Sequence, residues 1–212
     1  MEPITLVLAK DLVTEKLREA IYTGVLKPGE ELIQQKISEQ LGVSRMPVRE
    51  ALAILESAGI VEMLPNKHVI VKKVTPEMID EDLELRSILE CNAAEKACRR
   101  AANFDGLETI NRKTEQCAAK GDIAPFRDLN AQFHHTIWSL ARSPRLERML
   151  KQLWVAMPSY YPVNTLENLN RNVREHSLIL EALQARDISQ VLKAMAAHIH
   201  HTQEMIVRRM QE

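Results

Sequence analysis

The chain has 212 residues, of which 27% are charged, 45% hydrophobic and only 4% aromatic, and its formal net charge is −1. That length allows one large or two modest domains, and the charge balance excludes a generally basic nucleic-acid coat while leaving room for a local basic patch. No apolar run reaches membrane-spanning length, Met1-Glu2-Pro3-Ile4 lacks a basic signal start, and Cys91, Cys98 and Cys117 form no Cys-x-x-Cys pair. The expectation is a cytoplasmic protein with reduced thiols and no membrane partner.

Val13, Leu17, Ala20 and Ile21 recur at helical spacing, and Gly24 with Lys27-Pro28-Gly29 marks the stop and a turn. A second helix spans about 33–41, with Ile37 and Leu41 on one face and Gly42 as its left-handed end. Ser44 is the expected N-cap of a third helix, Pro47 falls in its first turn, and Val48, Leu52 and Leu55 form its apolar face. The short connection between these two helices is that of a helix-turn-helix. Arg45 and Arg49 lie one turn apart on a different face, where arginine can grip guanine O6 and N7 in a major groove. Taken alone, they also fit a solvated amphipathic helix. Gly59 ends the third helix, and residues 60–64 and 69–73 read as a β-hairpin, or wing, joined by Pro65-Asn66-Lys67-His68. From 41 to 73, Arg45, Arg49, Lys67, Lys72 and Lys73 face Glu50, Glu56 and Glu62. This mild excess predicts modest DNA affinity for one copy and a homodimer to double the contacts.

Val74-Thr75-Pro76 reads as a linker, with no strand pattern after it. Helices are expected at about 77–102, 105–120, 123–142, 145–158, 168–186 and 188–210. Asp122 and Asp187 serve as N-caps, Pro144 and Pro158 mark ends, and 164–170 is a polar connection. The predicted fold is therefore mainly α: a winged helix-turn-helix over 1–74 and an antiparallel six-helix bundle with a central cavity over 75–212. Six of the seven histidines lie in the bundle. Asn130 and His134 share one helix face, His176 is on the next helix but one, and His198 is on the last. Bundles build internal metal sites from facing helices in this way, and imidazole suits zinc or nickel better than magnesium. The competing reading of these three histidines is a metal-free polar pocket. His135, His200 and His201 read as structural or surface residues. Arg86 is a candidate for an effector carboxylate, or for an ion pair with Glu90 one turn on.

Two resemblances sharpen these expectations. Gly24-Val25-Leu26-Lys27-Pro28-Gly29-Glu30-Glu31-Leu32, the run Leu41 through Leu52, Leu55 and Gly59-Ile60-Val61 resemble the winged helix-turn-helix of the GntR family of bacterial transcription regulators. The resemblance implies DNA contacts by Arg45 and Arg49, with Ser44 capping their helix. Lys67 and His68 correspond loosely to the wing, where His68 stands in place of the usual tip glycine. Glu84-Leu85-Arg86-Ser87-Ile88-Leu89-Glu90, Asp128-Leu129-Asn130-Ala131-Gln132-Phe133-His134, Ser143-Pro144-Arg145-Leu146, the run Glu175 through Leu183, and Ala197-His198 resemble the FCD effector domain of the FadR subfamily. That implies a divalent metal on one aspartate and three histidines. The histidines map to His134, His176 and His198, and the aspartate position holds Asn130. Zinc or nickel remains compatible, in a more positive site that favours an anion. The implied function is a ligand-responsive regulator, a repressor released from a double-stranded DNA operator by a small organic or sugar acid. Other readings are a metal-independent regulator sensing a fatty acyl ligand, and a metal-dependent helical-bundle enzyme. The enzyme reading leaves the Ser44 helix unexplained and finds no obvious base. Glu175, beside His176, points to another helix face in this reading.

Overall fold

Helix stops written as glycines, and helix starts written as proline or a short polar residue, set the element order. The computed structural model describes residues 8–157 and 165–211. The chain divides into two units between Thr75 and Pro76, and the first unit also takes in the short stretch that starts at Trp154, at the end of the seventh helix.

In the first unit, α1 (Ala9–Tyr22) buries Val13, Leu17 and Ile21 along one stripe. The second helix, α2 (Gln34–Leu41), ends on Gly42 at φ 65°, a left-handed conformation that lets the Val43 N–H bond back to the Ser38 carbonyl at 3.0 Å. The third, α3 (Arg45–Ser57), buries Val48, Ala51, Leu52 and Leu55 against α1 and α2. Ser44 occupies the N-cap position of α3 in extended conformation, yet its hydroxyl accepts no capping bond. The expected cap fails for a chemical reason. The third helical residue, whose N–H a serine cap would receive, is Pro47, which has none.

Strands β1 (Val61–Met63) and β2 (Val69–Val71) pair antiparallel, with Val61 opposite Val71 and Met63 opposite Val69. They are shorter than the predicted runs. The segment read only as a turn joins them: the Gly29 N–H bonds the Val71 carbonyl at 2.8 Å, and the Leu32 N–H bonds the Val69 carbonyl at 2.7 Å. The Glu30 carbonyl accepts from Val71 at 2.9 Å, and Glu31 bridges Ile70. The hairpin thus carries a third edge. Ile60, Val61, Val69 and Val71 close a core with Leu32, Ile37 and the helix stripes.

The second unit contains α4 (Pro76–Arg100), α5 (Asp105–Lys120), α6 (Ile123–Leu140), α7 (Pro144–Ala156, whose last turn falls in the first unit), α8 (Leu166–Gln184) and α9 (Ile188–Gln211). These follow the predicted helices closely, with two corrections. The α8 helix begins before Asn168, because the Thr165 hydroxyl caps it by accepting the Asn168 N–H at 3.2 Å. Asn168 and Asn170, which fall both in the expected connection and at the start of the expected helix, are helical. Asp122 stands at the N-cap of α6 without a side-chain bond, and again the third helical residue is a proline, Pro125. Asp187 does cap α9, accepting the Gln190 N–H at 3.0 Å. The expected helix end at Pro158 lies outside the described residues.

Arg186 follows α8 in left-handed conformation, φ 58°. Its guanidinium donates to the Cys98 and Ala101 carbonyls that close α4 and lies 4.7 Å over the Phe104 ring. The most extensive packing is α4 on α9 and α6, α5 on α6 and α8, and α8 on α9. The interior faces of α4, α6, α8 and α9 carry the polar residues described next. Among the described residues, no helix is long and apolar enough to cross a membrane.

Candidate functional site

In the first unit, burial of Val48, Leu52 and Leu55 turns the opposite face of α3 to solvent. Arg45 and Arg49 are both exposed, one turn apart at the start of the helix. Arg45 is steadied by α2, its Nη2 donating to Gln35 Oε1 at 2.9 Å. At the hairpin tip the Lys67 N–H closes a turn on the Leu64 carbonyl at 2.8 Å, and Lys67 itself takes the left-handed conformation, φ 65°. The backbone condition that favours glycine therefore falls on Lys67, one residue before the position expected from the sequence. Exposed His68 turns back instead, its Nδ1 on the Glu31 carboxylate. Arg45, Arg49 and Lys67 are cations available to an anionic surface, while His68 is engaged within its own unit.

In the second unit, α6 supplies His134, α8 supplies His176 and α9 supplies His198. The three are buried, each offering one ring nitrogen within 4.8 Å of the others. His134 Nε2 lies 3.2 Å from His198 Nε2. His176 stacks on Phe133, with centroids 3.9 Å apart and planes within 9°. Among the described residues, neither nitrogen of His176 has a hydrogen-bond partner, nor has the buried Oδ1 of Asn130, one turn before His134 on α6. Buried polar atoms are rarely left unmet, and such a cluster is where an ion or ligand belongs. The donor chemistry agrees. Burial pushes His134 down to about 4 against the opposing pull of Glu90, and pushes His176 well below its ordinary value, with neighbouring histidines and Arg86 adding to the downward shift of both rings. At neutral pH both rings are unprotonated, the form a metal requires. The residues present therefore fit a divalent metal with an affinity for imidazole.

Behind the histidines stand two carboxylates. Glu90, fully buried on α4, places Oε1 3.0 Å from His134 Nδ1. It also receives Arg86 Nε and Nη2, each at 3.1 Å, and Trp138 Nε1 at 2.7 Å. Burial alone would raise the Glu90 carboxyl, but His134, Arg86 and Trp138 outweigh it and hold the group at about 2. Arg86, the candidate effector ligand, is thus buried and paired with Glu90, and through Glu90 it meets His134. On α8, Glu175 Oε2 lies 2.9 Å from His198 Nδ1, while its Oε1 takes Arg171 Nε at 3.0 Å and His201 Nδ1 at 3.2 Å. Two sequence readings are corrected here. Glu175 turns toward the site rather than away, because α9 packs against that side of α8. His201, read as structural or surface, shares a carboxylate with His198. The structural reading suits His135, whose ring packs on Trp138, and His200 is exposed beside Glu204.

Comparison with known proteins gives consistent matches. Residues 9–71 match the bacterial regulatory proteins of the gntR family, and residues 81–201 match the FCD domain. The HTH-type transcriptional regulator McbR of Escherichia coli is 33% identical over 182 residues, covering 82% of each chain. The Uxu operon regulator of Haemophilus influenzae is 29% identical over 214 residues, covering 89% of this chain and 78% of that one. Among solved structures, E. coli McbR/YncC superposes with a TM-score of 0.77 at 27% identity, covering 98% of this chain and all of that one.

Proposed function

We propose that this chain, which belongs to the gntR family of bacterial regulatory proteins and carries an FCD domain, is a metal-assisted sensor of a small organic or sugar acid, released from its operator when that acid binds. Membership makes it a ligand-responsive, DNA-binding transcription regulator and not an enzyme. The observation that carries the finer reading is His176, fully buried beside His134 and His198 with neither ring nitrogen bonded among the described residues. A divalent metal on His134, His176 and His198, with Asn130 alongside, would act as a Lewis acid that anchors an effector carboxylate. Zinc and nickel suit the three imidazoles best.

The choice between a hydroxy acid and a fatty acyl chain rests on two further atoms. Asn130 Oδ1 and Asn172 Oδ1 are buried without partners among the described residues, each one turn before a site histidine on its own helix. Unmet carbonyl oxygens suit ligand hydroxyl donors and penalise an alkyl chain. This supports an organic or sugar acid over the metal-independent acyl reading. Arg86 would join effector binding only by sharing its charge with Glu90.

On the DNA side, Arg45 and Arg49 would enter the major groove, with Ser44 at the helix start and Lys67 near the backbone. His68 would contribute through the Glu31 pair rather than by close approach of a glycine. A homodimer would place two such helices on a palindromic operator. The exposed face of α4 supports that assembly: Leu85 and Ile88 are 52% and 67% exposed, with Glu77, Glu81 and Glu84 before them, and Lys96 and Arg99 after, the latter paired with Glu95. Two copies of α4 crossing antiparallel at Ile88 would set acid against base on both sides.

The decisive experiment is elemental analysis of the purified protein beside a His134→Ala/His176→Ala variant, followed by DNA release with hydroxy acids. One equivalent of transition metal, lost in the variant, with release by an acid only when metal is present, is the expected result. Metal-independent release would overturn this reading.

A further inference from the structure

Two of the three site imidazoles are held from behind by carboxylates. His134 Nδ1 faces Glu90 at 3.0 Å, and His198 Nδ1 faces Glu175 at 2.9 Å. An ionised carboxylate only accepts hydrogen bonds, so the bond to Glu175 assigns the His198 proton to Nδ1 and its lone pair to Nε2, and a lone pair on His134 Nδ1 facing Glu90 at 3.0 Å would be repelled, which favours the same tautomer there. The two Nε2 atoms then meet 3.2 Å apart as acceptor against acceptor. No hydrogen is left to bridge them, and the gap is suited to a cation.

We propose that Glu90 and Glu175 are positioning residues of the metal site: they fix His134 and His198 with Nε2 inward. The inference rests on the three histidines being metal ligands. Each carboxylate is itself held in place. Arg86 and Trp138 grip opposite oxygens of Glu90, and Arg171 and His201 hold the Glu175 oxygen that His198 leaves free. His176 has no such support and is oriented by its stack on Phe133. The ligands from α6 and α9 are therefore preset, and the ligand from α8 is the adaptable one. Charge follows the same layout. Three neutral imidazoles and a carboxamide leave a divalent ion's charge unneutralised at its ligands, and the carboxylates one layer out are already paired, Glu90 with Arg86 and Glu175 with Arg171. The ligand layer stays open to an anionic effector without a competing aspartate.

The test uses the full chain, stripped of metal and titrated with Co²⁺ and then Zn²⁺ against a chromophoric chelator. Wild type is expected to bind one equivalent. Glu175→Gln keeps the shape, removes the charge and should weaken binding about 10- to 100-fold. Glu181→Gln removes the same charge from an exposed position on the same helix and should leave affinity unchanged. Glu90→Gln should also weaken binding, but it strands the buried Arg86 guanidinium, so Glu175→Gln is the deciding variant. Ring ¹⁵N spectra of the metal-free protein give a readout that a merely structural role would not move. His198 should be an Nδ1–H tautomer in wild type and a mixture in Glu175→Ala. Metal binding by Glu175→Gln within about twofold of wild type, or an equal loss in Glu181→Gln, overturns the proposal. Failure of wild type itself to bind either metal would instead refute the three-histidine reading on which it rests.

Discussion

Replacing His176 with leucine should make the metal-free protein more stable, the reverse of what most core substitutions do. The His176 ring is fully buried, and neither nitrogen is satisfied. A buried polar group without a partner costs about 1–3 kcal/mol, and a neutral imidazole contributes two such groups. Leucine removes both and forfeits the stack on Phe133, worth about 0.5–1.5 kcal/mol. The balance favours His176→Leu by about 2 kcal/mol. With a urea slope of about 2 kcal/mol per molar, the midpoint should rise by about 1 M. The measurement is urea unfolding in chelator at pH 8, followed by tryptophan fluorescence, then repeated with metal. At 100 times its dissociation constant a bound ion adds about 2.7 kcal/mol to wild type, so the order of the two proteins should close or reverse. A variant less stable than wild type in chelator would refute the reasoning, because His176 would then be a packing residue rather than a ligand kept at a cost in stability.

The remaining predictions concern pH, DNA and assembly. His134 titrates at about 4 in the folded protein against an ordinary 6.5, and burial also depresses His176. The unfolded chain therefore binds protons that the folded one does not, so stability present above pH 6.5 is lost as pH falls toward 4. Between pH 7 and 5, His134 alone should remove about 2 kcal/mol in chelator; a flat stability profile across that range would count against the assignment. Arg45→Ala and Arg49→Ala should each weaken binding to a selected operator by about 1–3 kcal/mol at fixed salt, read by fluorescence anisotropy, with an unchanged circular dichroism spectrum. Unaltered affinity in both would remove α3 as the reading helix. Ile88→Glu should convert a dimer to monomer in sedimentation analysis, and a dimer that persists would place the partner surface elsewhere.

Much of this was legible in the chain. Residues whose meaning is local could be read: Gly42 as a left-handed helix end, and the apolar stripes of α1 and α3. The caps show how local meaning still depends on register. Thr165 and Asp187 bond the third helical N–H, whereas Ser44 and Asp122 meet Pro47 and Pro125 at that position. The prolines were visible in the sequence, so reading three residues ahead would have separated the two pairs. The three histidines were legible because each lies at a helical position that the family pattern marks. Their supports were not. Glu90 meets His134 from α4, and Glu175 meets His198 across the α8–α9 seam. Such contacts depend on which helices are neighbours and at what rotation, and no spacing along the chain encodes that. The third edge of the hairpin escaped for the same reason, since Lys27-Pro28-Gly29 signals a turn and says nothing of where the chain goes next.

That third edge has a mechanical consequence. A two-stranded hairpin alone would swing on its connections, and its tip would follow whatever groove it met. Here the ladder from Gly29 to Leu32 fastens β2 along its outer side, and Glu31 clasps His68 next to the tip. The same segment runs directly into α2, which packs on α3. The gap between the arginines of α3 and Lys67 at the tip is therefore set like the jaws of a caliper. If the proposed contacts hold, such a module would measure the distance from a major-groove edge to the neighbouring backbone without adjusting to it, and DNA shape at that spacing would become part of what it recognises.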